Sequence, residues 1–134
     1  MRELAKGGVP SLDVWLQEAK AEPGAKECGM YLFHNGVVRE SAKAAVREGA
    51  ADTVPVKGMR FSYDAEKVER AKGAALAMPG IRYARVWLNS GVLRVGDDIM
   101  LILVGGDIRP HVIDALQSLV GEIKQHCVRE EEMY

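Results

Sequence analysis

The sequence predicts an α+β fold, a mostly antiparallel sheet with two main helices packed on it. Three observations lead there. Short runs of alternating apolar and polar residues are joined by tight turns containing glycine. Two longer segments, after Asp64 and after Asp107, repeat apolar residues at spacings of three and four. Ile99 to Val104 is an unbroken apolar run, the pattern of a strand covered on both faces. Strands joined by turns, with a few helices laid over them, form α+β layers.

Each element has a local cause. Ser11 can cap a short helix reaching about Lys20, with Leu12, Trp15, Leu16 and Ala19 on one face. Glu22-Pro23-Gly24 ends it. The run from Gly29 reads as a strand ending near Arg39, and Gly36 inside it suggests a bulge. Ser41 to Asp52 is Ala-rich and charged, and reads as a loop with a helical turn. Met59, Phe61 and Tyr63 then alternate with Arg60 and Ser62, a half-buried strand. Asp64 caps a helix with Val68, Ala71, Ala75 and Met78 inward, and Pro79-Gly80 stops it. Ile81 to Leu88 is a strand, Val92 to Val95 a short one, and Gly96-Asp97 the turn before Ile99 to Val104. Asp107 is the expected N-cap of the last helix, with Pro110 in its first turn. Val112, Leu116, Leu119, Val120 and Ile123 are its inward stripe.

One domain is expected for 134 residues. Residues 1–28 form an N-terminal helix and linker, 29–125 the core, and 126–134 a short acidic tail. The formal net charge of -1 gives no basic field, so neither nucleic acid nor an anionic membrane is an expected partner. No apolar run approaches the roughly 20 residues of a membrane span. The N-terminus shows no apolar signal core, and a cytoplasmic location is expected. The two cysteines, Cys28 and Cys127, are too few for a disulfide framework and are expected as free thiols.

The order of motifs resembles the large, catalytic subunit of molybdopterin synthase. That family opens its core with a strand of the form G-x-x-x-x-x-x-G-x-V-R, which stands here as Gly29-Met-Tyr-Leu-Phe-His-Asn-Gly36-Val-Val-Arg39. Its G-x-L-x-x-G-D turn corresponds to Gly91-Val-Leu93-Arg-Val-Gly96-Asp97. The apolar strand after the turn corresponds to Ile99 to Val104, the loop arginine to Arg109, and the helix-end lysine to Lys124. The match covers roughly residues 29–125. No one motif is specific alone; their order and spacing carry the resemblance.

The resemblance implies molybdenum cofactor biosynthesis. Sulfur would pass to cyclic pyranopterin monophosphate from the C-terminal thiocarboxylate of a ubiquitin-like small subunit ending in Gly-Gly. It also implies a homodimer, joined through sheet edges or a Val92–Val104 hairpin. Both reactants are anions, and such a site needs fixed cations. On this footing Lys124 is the catalytic candidate, and Arg39 and Arg109 are the substrate-binding candidates. No cofactor and no metal are expected.

The sequence departs from the family at two places. Leu88-Asn89 replaces a His-Arg pair, and Val128-Arg129-Glu130-Glu131 replaces Pro-aromatic-Trp-Lys. Glu131 therefore stands where a second lysine would, with Arg129 or Lys43 as possible substitutes. Two main readings follow: a sulfur-transferring enzyme, or a catalytically decayed homologue acting as a binding or regulatory dimer. A small α+β domain with the same motif order by chance is the third.

Other constellations are weaker. His34, His111, His126 and the cysteines have no compact metal-ligand spacing. Gly105-Gly106-Asp107-Ile108 reads as a capped turn rather than an anion cradle. Trp15 and Trp87 read as core or interface residues, and the Arg129–Glu132 run as a solvated end.

Overall fold

A computed structural model describes residues 8–41, 49 and 54–134. The helical turn read between Ser41 and Asp52, with Lys43, lies almost wholly outside them. The described elements are α1 (Leu12–Lys20), β1 (Met30–Val37), β2 (Gly58–Tyr63), α2 (Ala65–Leu76), β3 (Ile81–Leu88), β4 (Gly91–Arg94), β5 (Asp98–Gly106), α3 (Arg109–Glu122) and β6 (Val128–Met133). A short 3-10 turn, Pro23–Glu27, follows α1, and a π-helical turn, Ile123–Cys127, follows α3. The α+β class is as the sequence predicts.

The antiparallel strands fall into two sheets of three, ordered β1–β5–β3 and β4–β2–β6. β5 is the centre of the first. Met100, Ile102 and Val104 face α2 and α3, while Leu101 and Leu103 face Trp15 and Ala19 of α1. Both faces of the apolar run are therefore covered. The larger core runs from Ile102 through Val68, Ala75 and Leu119 to Phe61 and Leu93 of the second sheet.

The expected caps and faces form at the first two helices. Ser11 accepts from the Val14 amide at 3.3 Å, and Asp64 from the Lys67 amide at 3.2 Å. Val68, Ala71 and Ala75 are the buried face of α2. The bulge at Gly36 is present, where the β1–β5 register shifts between Gly36 and Val37. On α3, Val112, Ala115, Leu119 and Ile123 are buried, and Leu116 and Val120 pack beside them.

Three expectations are corrected. Asp107 is not the N-cap of α3; Ile108 is, without a side-chain cap. The Asp107 amide is still bonded to the Gly80 carbonyl at 3.0 Å, so the helix starts one residue later. The Asp107 carboxylate instead accepts from the Ile108 amide and meets His111 Nδ1 at 2.8 Å. Second, Val92–Val104 is not a hairpin. Both edges of β5 are taken by β1 and β3, so β4 pairs with β2. The turn at Gly96, with φ +93, carries the chain from one sheet to the other. Third, the acidic tail is not a solvated end. Val128–Met133 pairs antiparallel with β2, because the ladder uses backbone groups whatever the side-chain charge.

Ile102 is wholly buried at the centre of this arrangement. Ile102→Ala is expected to lower unfolding free energy by about 2–5 kcal/mol in urea denaturation. Val92→Ala, at an exposed edge position, is expected to stay within about 0.5 kcal/mol of the parent.

Tyr31 gives a pH signature. Burial first, and then the Cys28 thiol, push its hydroxyl up to about 12. An unfolded chain releases that proton near pH 10. The group's full contribution is therefore present below about pH 10 and is lost as pH rises towards 12. Tyr31→Phe is expected to reduce the drop in urea midpoint between about pH 9 and about pH 11.

Candidate functional site

The first strand ends beside the turn that joins the two sheets. Val38 donates to the Asp97 carbonyl at 3.0 Å and accepts from the Gly96 amide at 2.8 Å. This fixes the segment that carries Arg39. On β1, residues two apart share a face, so Leu32, His34 and Gly36 all point toward α3. Lys124 lies in the π-helical turn at the end of that helix. The turn closes with the Cys127 thiol 3.7 Å from the Glu122 carbonyl. The Asp64 amide then donates to the Cys127 carbonyl at 2.8 Å, which starts β6 along β2.

These constraints enclose a cavity of about 210 Å³. Arg39, Lys124, His34, Glu130 and Glu132 line it, over an apolar floor that includes Met59 and Met100. A wider groove of about 540 Å³ runs on along α3, past Leu116, Val120 and Gly121. His34 and Lys124 line both spaces and so stand at their junction.

The structure brings Arg39 and Lys124 together, although they are far apart in sequence. Arg39 is exposed and its Nε donates to the Ser41 carbonyl at 3.1 Å. Lys124 Nζ lies 3.6 Å from Glu130 Oε2, with the glutamate side chain only 9% exposed. Arg109 is not part of this cavity. It starts α3, while Lys124 follows its other end, on the order of 20 Å away at 1.5 Å per residue.

The charge reversal read at Glu131 falls elsewhere. Glu131 pairs with Arg60 on the outer face of the second sheet, at 3.5 Å and with both side chains largely exposed. Such a pair contributes little. The acids inside are Glu130 and Glu132, which oppose Phe61 and Met59 on the inner face. Arg129 lies outside the cavity with Glu131, so it is no substitute cation there. Period-two alternation in Val-Arg-Glu-Glu-Glu-Met would have sorted these residues, had the run been read as a strand.

His34 is the other residue that sequence reasoning missed. Burial first, and then the Lys124 ammonium, hold its imidazole below the usual histidine value. The pair replacing the family's His-Arg serves the fold. Leu88 is buried in the core. Asn89 donates to the Asp98 carbonyl at 2.9 Å and accepts from the Ser90 amide at 2.8 Å.

Cys127 is buried, and burial pushes its thiol up, which disfavours the reactive thiolate. Cys28 is also a free thiol. Among the described residues no cluster of His, Cys, Asp and Glu suits a metal ion, and no helix is long and apolar enough to cross a membrane.

Fold and cavity thus define an α+β protein in which two cations and two glutamates line one cavity beside a groove. The family model for the MoaE protein matches residues 11–126, and the chain belongs to that family. Its field is molybdenum cofactor biosynthesis.

Solved structures share the fold. Molybdopterin synthase from Staphylococcus aureus aligns with a TM-score of 0.66 at 17% identity, over 81% of this chain and 77% of that one. The molybdopterin biosynthesis MoaE protein from Burkholderia ambifaria MC40-6 gives 0.68 at 14% identity, over 92% and 82%. A complex of subunits 1 and 2 of molybdopterin-converting factor from Helicobacter pylori 26695 gives 0.64 at 16% identity, over 92% and 80%. No curated protein matches the chain by sequence.

Proposed function

We propose that the chain is a molybdopterin synthase large-subunit-like protein, transferring sulfur from a small-subunit thiocarboxylate to cyclic pyranopterin monophosphate. One observation carries this reading: Arg39 and Lys124 line one cavity. Arg39 offers a planar guanidinium fork for the phosphate, and Lys124 an ammonium for the thiocarboxylate. The groove along α3, about 540 Å³ in volume, leads to Lys124 and offers a path for an extended Gly-Gly tail. A small-subunit partner is also supported by the similar Helicobacter pylori protein, which stands in a complex of subunits 1 and 2.

Arg109 can contribute to substrate binding only at the cavity of another copy, because its own lies too far away. The reading therefore includes a homodimer. Light scattering should give twice the 14.7 kDa chain mass, and a monomer would remove Arg109 from the site.

A second reading has specific support. Glu130 and Glu132 balance the formal charges of Arg39 and Lys124, and Leu88-Asn89 serves the fold. A catalytically decayed homologue that binds or regulates would look like this. One assay separates the two. The protein is mixed with a thiocarboxylated small subunit and cyclic pyranopterin monophosphate, and molybdopterin is read as its fluorescent oxidised product.

The enzyme reading predicts product and a loss of at least about a hundredfold in Lys124→Ala. It also predicts a gain of about two- to fivefold in Glu130→Gln, which frees the ammonium from an ion pair of modest strength. Small-subunit binding with no product supports the decayed reading.

A further inference from the structure

The cavity has more acid than an anion site needs, and one titratable group without a settled role. Among the described residues lining it, the formal charges of Arg39 and Lys124 are matched by those of Glu130 and Glu132. His34 stands where cavity and groove meet. Its ring has room on the cavity side, because the neighbouring residue on that face is Gly36. A Cβ built there would stand 3.7 Å from His34 Nε2 and 3.0 Å from Met100 Cγ. Neither ring nitrogen has a hydrogen-bond partner among the described residues.

We propose that His34 is an anion-binding residue of this site, taking up a proton when an oxyanion enters between Arg39 and Lys124. The imidazolium then supplies the positive charge that the two glutamates cancel. Partial burial first, and then the Lys124 ammonium, disfavour the charged ring. An arriving anion reverses that balance, since a nearby negative charge favours the protonated ring. The proton comes from solvent.

Among the described residues, the charged groups around His34 are Lys124 after α3, Arg39 after β1, and Glu130 and Glu132 on β6; β5 presents apolar Ile99 and Met100. A response between about pH 6 and about pH 8 that disappears in His34→Gln belongs to this histidine. The chemistry is that of an oxyanion with phosphate or carboxylate geometry. The inference rests on the proposed function only for the identity of that anion.

The test uses probes of constant charge: inorganic sulfate for a phosphate group, and N-acetyl-Gly-Gly for a carboxylate tail. Binding to the full chain is followed by amide chemical shifts at about pH 6 and about pH 8, at fixed ionic strength. The parent should bind at least one probe several-fold more tightly at the lower pH. Full coupling to one proton sets a limit of tenfold per pH unit.

His34→Gln should bind that probe weakly at both pH values, and His34→Arg tightly at both. The probe whose pH dependence disappears in His34→Gln identifies the anion class. The proposal is overturned if neither probe binds, if His34→Gln keeps the parent's pH dependence, or if His34→Arg binds no better than His34→Gln. The same spectra show whether each variant is folded. Because no turnover is measured, an inactive protein with His34-dependent binding removes the enzyme reading and leaves this one standing. An active protein with His34-independent binding does the reverse.

Discussion

The burial of β5 on every side is the constraint from which the other features follow. Ile102, Leu103 and Val104 have no exposed surface, α1 covers one face, and α2 and α3 cover the other. β1 and β3 occupy both edges. A strand in that position cannot also pair with the short strand just before it. The chain therefore turns at Gly96 and builds β4 into a second sheet around β2. That sheet has a free edge on the far side of β2, and the end of the chain fills it. Two glutamates consequently line the cavity with Lys124, which sits in the π-helical turn after α3.

Much of this was legible because it depends on local pattern. Ser11 and Asp64 cap helices by side-chain reach alone, and the apolar stripes of α2 and α3 follow the helical period. The run Ile99 to Val104 announced its own burial. Arg39 and Lys124 were legible as candidates only through the order of motifs, since nothing local distinguishes a strand-end arginine or a helix-end lysine. Their meeting in one cavity is a long-range result of topology.

What was illegible has physical causes too. β6 carries Arg129, Glu130, Glu131 and Glu132, a composition poor in strand formers. It pairs because β2 offers an open edge, and an edge is created by the rest of the fold rather than by the residues that fill it. Asp107 has the side chain of an N-cap, yet its amide is held by Gly80 and the helix begins past it. Glu131 was aligned by position, but in a strand one residue of register decides the face. The outward Glu131 and inward Glu130 exchange the roles that linear alignment would give them.

The geometry of β6 also bears on which ligands the cavity prefers. Lys124 is already paired with Glu130 at 3.6 Å, so an incoming anion competes with a resident carboxylate rather than meeting a free cation. The Glu130 side chain is only 9% exposed, so little water lies between it and the ammonium. β6 lies at an edge of its sheet, hydrogen-bonded to β2. A singly charged ligand offers Lys124 little more than Glu130 does. A doubly charged one gains more from Arg39 and Lys124, but Glu130 and Glu132 repel it in the same proportion. The two acids therefore lower the site's preference for highly charged anions below what Arg39 and Lys124 would give alone.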